Sequence, residues 1–112
     1  AYQGITEVVR GHDLLAFTPL QIYLCKILEL PVPKFLHIPI ITDGQGCKLS
    51  KQANAEAISK DSCSTTVAKA LNDLGQETPI NLAEEGLEQI WSWAIQHWDA
   101  AKIPRSESLP LV

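Results

Sequence analysis

The sequence has no methionine, no apolar run long enough to cross a bilayer and no signal-peptide pattern at its start. Ala1 leads almost directly into a strand-like segment, so the sequence is expected to begin inside a longer gene product. Its three cysteines, Cys25, Cys47 and Cys63, form no Cys-x-x-Cys pair and have no histidine at finger-like spacing. That excludes a disulfide framework and a zinc finger and fits a reducing cytoplasm. Nor is there a P-loop, because Gly44 and Gly46 stand too close together for that spacing. Broad, nonspecific binding to nucleic-acid phosphates is also disfavoured. The net charge is −4 over 112 residues, and nine of the thirteen acidic residues fall after residue 52 against four of the nine basic ones. Any contact with RNA must then be local and geometrical.

What is present is the composition of a globular domain, 46% apolar and 20% charged. Ile5 to Arg10 is short and β-branched and is broken by Gly11, which predicts a buried strand ending at a loop. Thr18-Pro19-Leu20-Gln21 reads as a helix start, with Thr18 as N-cap, Pro19 at the first helical position and Gln21 closing a capping box. Leu20, Leu24 and Ile27 then form one apolar stripe, ending before Pro31. Phe35 to Ile41 returns to strand character, and Pro39 places it at an edge or bends it. Strand, helix, strand in this order predicts a parallel β-α-β crossover, followed by a turn at Asp43-Gly44-Gln45-Gly46.

The remainder reads as helical. Thr66 to Leu74 carries Val67, Leu71 and Leu74 on one face, with Gly75 as a C-cap. Asn81 to Glu84 suits a variant capping box. Leu87, Trp91, Ala94 and Trp98 make a second stripe, closed by Ile103-Pro104. Trp91 and Trp98 are therefore expected in the core, and Trp93, off the stripe, is left open as a base-stacking platform.

The stretch Lys48-Leu49-Ser50-Lys51-Gln52 carries the most chemistry. Two lysines three apart around a serine can bring ammonium groups and a hydroxyl onto a triphosphate, each charge-assisted bond contributing about 1.5–3 kcal/mol. Taken alone, so short a match is as well explained by a solvated loop with two surface lysines. The order of segments adds to it. Val8-Val9-Arg10-Gly11-His12-Asp13, Thr18-Pro19-Leu20-Gln21, His37-Ile38-Pro39-Ile40-Ile41 and Lys48 to Lys51 resemble, in sequence, the catalytic core of the glutamyl-tRNA synthetases. There an Arg-Gly-x-Asp turn, a Thr-Pro-x-Gln helix start, a His-x-Pro strand and a Lys-(Met/Leu)-Ser-Lys loop follow one another. The later part, with its Trp-rich helix and no large anticodon-binding region after it, resembles the short glutamyl-queuosine tRNA(Asp) synthetases.

That resemblance implies an α/β fold: the C-terminal half of a class I Rossmann-type catalytic domain over residues 1–52, then a small α-helical subdomain over 53–112. It implies that Arg10 binds a carboxylate of L-glutamate through its planar fork, at the carboxyl end of a strand where open α/β sheets place ligands. Gly11 lets the backbone turn close to that ligand, and Asp13 either caps the turn or touches it. His37 borders the adenine of ATP. Lys48 and Ser50 shape the phosphate loop, and Lys51 contacts the phosphates and stabilises charge as pyrophosphate leaves. The implied partners are L-glutamate, ATP with Mg2+, and tRNA(Asp), with no membrane and a monomeric full-length protein. The His-x-Gly-His nucleotide motif and the zinc-binding insertion of such enzymes do not occur in these residues, so the 112 residues alone are expected to be inactive. Two other readings stay open: a piece of an ordinary glutamyl-tRNA synthetase, and a noncatalytic nucleotide- or RNA-binding module that keeps the loop without the chemistry.

Overall fold

The computed structural model describes residues 2–50 and 57–111. Strand β1, Glu7–Gly11, pairs in parallel with β2, Lys34–Ile38, in the register Val8 to Phe35 and Arg10 to His37. Between them run a 3-10 turn, His12–Phe17, and helix α1, Thr18–Ile27. The expected crossover is present. Its strands are less buried than expected, and Val9 is 62% exposed because, among the described residues, the two strands pair only with each other.

Pro39 has the expected effect on the second strand. It interrupts pairing after Ile38, and the chain resumes as β3, Ile40–Thr42, in a different sheet. A ring nitrogen without a hydrogen cannot continue the ladder, so the strand changes partners at the proline. The partner of β3 is β4, Ser108–Pro110, also parallel, with Ile41 opposite Leu109. A strand this late departs from the expectation that everything after residue 52 is helical.

The helix-start motif begins α1 differently from its sequence signature. Thr18 already has helical dihedrals and makes no capping bond, because the preceding 3-10 turn feeds straight into the helix. The inward positions of α1 are Thr18, buried, with Ile22 and Cys25 half-buried one and two turns on. Leu20, Leu24 and Ile27 instead point outward, 57%, 47% and 57% exposed. The apolar stripe of α1 thus lies opposite its packed face.

Helix α2, Cys63–Asp73, ends as expected. The amide of Gln76 donates to Leu71 O and that of Gly75 to Asn72 O, a Schellman closure with Gly75 at φ 76°. A Cβ at Gly75 would also strike the Lys102 carbonyl. Helix α3, Leu87–His97, starts only after Gly86, and the Asn81 side chain makes no cap to a short 3-10 turn at Leu82–Glu84. The core lies between α2, that turn and α3: Leu71, Leu82, Ile90 and Ala94 are buried, with Val67 and Trp93 packed against them. The stripe on α3 is therefore Ile90, Trp93 and Ala94. Trp91 and Trp98 are 52% and 45% exposed, and Trp98 lies past the last helical residue. The expected assignment of the tryptophans is reversed. Trp93 packs on the core and stacks on His97 at 4.8 Å.

One buried side chain joins the helices to the returning strand. Gln76 is 3% exposed, donates from Nε2 to Leu74 O and Asp99 O, and accepts the Asp99 amide on Oε1. With every polar atom hydrogen-bonded, the cost of taking its amide out of water is offset. It fixes the chain after α3, which then buries Ile103 and reaches β4.

Candidate functional site

The carboxyl ends of β1 and β2 bring Arg10 and His37 side by side, as the parallel register requires. Arg10 Nε lies 3.3 Å from His37 Nε2, and Arg10 Nη2 lies 2.8 Å from Thr18 Oγ1 and 3.5 Å from the Leu14 carbonyl. Thr18 Oγ1 and His37 Nε2 are 3.0 Å apart, which closes a triangle of three side chains. Phe35 backs it: the Arg10 guanidinium sits 5.0 Å over its ring centroid, and its ring stacks on His37.

Donor arithmetic sets the protonation states. Arg10 Nε–H can only donate, so His37 Nε2 must accept and the neutral ring carries its proton on Nδ1. Thr18 accepts from Arg10, which leaves its own hydroxyl hydrogen for the same Nε2. Partial burial pushes the His37 pKa below its usual value, and the charges of Arg10 and His12 push it the same way. Of the guanidinium, Nε is engaged by His37 and Nη2 by Thr18 and, weakly, by Leu14. The end bearing Nη1 has no hydrogen-bond partner among the described residues.

Gly11 and Asp13 form the turn beyond β1. Gly11 has φ −63°, an ordinary value, so it is not needed for a left-handed conformation. It is needed for space: a Cβ there would lie 2.5 Å from Asp13 Oδ1 and 3.1 Å from Ile40 Cγ2. Asp13 in turn holds the lysine loop. Lys48 Nζ lies 2.6 Å from Asp13 Oδ2, and the hydrogen bond from Lys48 brings the Asp13 pKa below the usual carboxylate value. The loop is shaped by Asp43, whose Oδ1 accepts the amides of Gln45 and Cys47, while Thr42 pairs with Lys48 across the turn. Lys48 and Ser50 are thereby returned alongside β3, the Leu49 amide donating to Ile41 O. Lys51 lies outside the described residues.

Beside His37 opens a cleft of about 470 Å³, walled on one side by His12 and His37 and on the other by Ile103, Arg105 and Glu107. It sits where the chain passes from one sheet to the other. Arg10, His37, Asp13 and Lys48, singled out by motif, are thus gathered at one end of the strands. Thr18 and the segment around Arg105 carry no sequence signal for this place. Thr18 looked like a cap, and Arg105 lies far from every motif. Among the described residues no group of three His, Cys, Asp or Glu side chains could hold a metal ion. Among the described residues, the carboxylate nearest the loop, Asp13, is committed to Lys48.

Residues 1–74 match the family model of the class I tRNA synthetases (E and Q), catalytic domain. The chain is 44% identical over 110 residues to a glutamyl-Q tRNA(Asp) synthetase of Pseudomonas fluorescens, covering 98% of this chain and 37% of that protein. It is 42% and 41% identical over the same length to proteins of that name from Pseudomonas paraeruginosa and Pseudomonas aeruginosa, covering 98% of the chain and 38% of each. The chain therefore spans somewhat over a third of the length of these relatives.

Proposed function

This chain belongs to the catalytic-domain family of the class I tRNA synthetases (E and Q), and we propose that it forms part of an enzyme that glutamylates queuosine in the anticodon of tRNA(Asp). In the first step a carboxylate oxygen of glutamate attacks the α-phosphorus of ATP and pyrophosphate leaves, giving glutamyl-adenylate. In the second, a hydroxyl of the queuosine cyclopentene diol attacks the activated carbonyl, an ester forms and AMP leaves. Residues 1–52 are assigned most of the contacts to the small ligands, and the segment from Ile103 to Glu107 completes the cleft beside His37.

The observation that carries this reading is the arrangement at the ends of β1 and β2. Among the described residues Arg10 keeps one end of its guanidinium unbonded beside a neutral histidine, and a turn 35 residues from the lysine loop is tied to it by Asp13 and Lys48. A carboxylate bridging Nη1 and Nη2 would displace only the weak contact of Nη2 with the Leu14 carbonyl. Lys48 Nζ has three donors and spends one on Asp13, so it can meet a phosphate without leaving the loop. His37 offers the wall of its cleft to a base. Lys51, following Ser50, is assigned the leaving pyrophosphate. The catalytic gain comes from positioning and from charge placed where the transition state develops it. The choice of queuosine rests on the relatives, whose name specifies glutamyl-Q tRNA(Asp).

The experiment is transfer of labelled glutamate by the full-length parent to queuosine-containing tRNA(Asp), to tRNA(Asp) without the modified base and to tRNA(Glu). Product is expected with the first alone, and periodate cleavage of the cis-diol should abolish it. Efficient charging of tRNA(Glu) would return the chain to the ordinary glutamyl-tRNA synthetases. The 112 residues alone should give no ATP–pyrophosphate exchange.

A further inference from the structure

We propose that Thr18 is the positioning residue of this site: its buried hydroxyl holds Arg10 and His37 in a fixed relation, so that the guanidinium offers its Nη1 end and the imidazole stays neutral with its proton on Nδ1. The inference deepens the reading of Arg10 as a carboxylate-binding residue, and rests on it for what the exposed end would bind. The lock itself stands on geometry alone.

Thr18 is 7% exposed and is the only buried residue of α1. A threonine at a helix start ordinarily turns its hydroxyl back to a free amide of the first turn, a bond that contributes about 1 kcal/mol. Here Phe17 holds the cap position, Thr18 is already the first helical residue after a 3-10 segment, and its hydroxyl is directed at two side chains. The hydroxyl instead lies 2.8 Å from Arg10 Nη2 and 3.0 Å from His37 Nε2. It is the one group in contact with both that can accept from the first and donate to the second at once. Lysine or arginine could not accept, and a carboxylate could not donate, whereas a hydroxyl does both from a single atom.

Two consequences follow for the neighbours. An arginine on a strand end has four rotatable bonds. With Nε on His37, Nη2 on Thr18 and the plane laid on Phe35, it is held before any ligand arrives, which lowers the entropy lost on binding. The histidine, for its part, cannot take a second proton on Nε2 without facing the fixed Arg10 Nε–H and turning the Thr18 hydroxyl from donor to acceptor. Such a proton would also sit beside Arg10 and His12, with Arg105 and Glu107 across the cleft and the stacked Phe35 behind. Thr18 therefore couples the orientation of one side chain to the protonation of the other.

The test is nitrogen-15 NMR on the whole chain, reading the His37 ring tautomer, its titration and the Arg10 Nε–H signal. In the unsubstituted chain the proton is expected on Nδ1, the ring should titrate below an ordinary histidine, and the Nε–H signal should be slowly exchanging until the ring protonates. Thr18→Val, close in shape but without the hydroxyl, should populate the Nε2–H tautomer, move the titration and speed exchange at Arg10. Thr18→Ser should restore all three. A Nδ1–H ring and a protected Nε–H unchanged in Thr18→Val would overturn the proposal, as would an Nε2–H ring in the unsubstituted chain, a result that does not depend on the variant folding. These readouts need no ligand. Failure of glutamate to perturb Arg10 in the same sample would overturn the carboxylate reading and leave the lock standing.

Discussion

The two parts of the chain bury opposite things. The buried aliphatic side chains among the described residues, from Ala68 to Ile103, belong to the helical part, whereas the earlier part buries Thr18, Pro39 and Thr42. The helical part packs on itself around a fully covered Ile90. The strand-bearing part turns Val9, Leu20, Tyr23 and Leu24 to solvent and keeps its order with hydrogen bonds at Thr18, Asp43 and Asp13. Burial is non-directional and gives stability, while hydrogen bonds fix angles. One part is thus built for holding together and the other for placing groups.

The sharpest way to break that division is to strike each part where it should matter most. Ile90→Ala removes the one fully buried large side chain and should cost about 2–5 kcal/mol in denaturant unfolding, with little change in the Arg10–His37 signals of molecules that remain folded. Lys51→Ala in the full-length parent should do the reverse. It should lower glutamate-dependent ATP–pyrophosphate exchange about 10²–10³-fold, the effect of deleting one preorganised charge, and leave stability and glutamate binding nearly intact. Exchange that survives Lys51→Ala would remove that residue from the chemistry.

Next in size is Arg10→Lys. The charge stays, but the side-on contact to His37 and the second nitrogen are lost, so glutamate affinity should fall by about 1.5–3 kcal/mol while ATP affinity changes little. Titration of both ligands on the variant separates this from a folding defect, which would weaken both alike.

How much of this could be read beforehand differs between the parts for the same physical reason. The crossover, the bend at Pro39, the Asp43 turn and the Gly75 closure were legible, because each depends on local backbone chemistry. The faces of the helices were not. On α1 the apolar residues Leu20, Leu24 and Ile27 lie opposite the packed positions, and on α3 the stripe passes through Ile90 and Trp93. Periodicity tells which residues share a face, and only packing tells which face is covered. Strand β4 was missed because a three-residue strand has no periodicity of its own and is made by pairing with β3. At the candidate site the motifs pointed to Arg10, Asp13, His37 and Lys48. They gave Thr18 the wrong partner, since a capping hydroxyl and a bridging hydroxyl look alike in sequence.

A smaller effect tests the polar part through pH. His37 is held neutral by burial and by the neighbouring charges, so its folded pKa lies below the ordinary 6.5. The unfolded chain then takes up a proton that the folded chain refuses. The stability tied to this group is complete above about pH 6.5 and is lost as pH falls through the lowered value. Denaturation midpoints should decline between pH 7.5 and 5.5, and His37→Gln should flatten that part of the slope. A slope unchanged by the substitution would assign it to other groups.

The smallest expected change in stability, and the one that most directly separates holding from placing, is at Lys48. Its bond to Asp13 is short at 2.6 Å, yet the two side chains are 51% and 33% exposed, so water and salt screen the attraction. Lys48→Met keeps the aliphatic stem and removes the charge. The denaturation midpoint near neutral pH should hardly move. What should move is Asp13: freed of the hydrogen bond that lowers it, its carboxyl should titrate upward toward 3.8. The lowered pKa makes a contribution that is present above the ordinary carboxylate value and disappears as pH falls through the folded one, so the variant should lose only that acid-side part of the curve. Carbon-13 titration of the Asp13 carboxyl, beside unfolding curves at pH 7 and pH 3, measures both. If Lys48→Met instead lowers the neutral-pH midpoint as far as Ile90→Ala does, the lysine loop carries the fold of the strand-bearing part, and the division between the two regions fails.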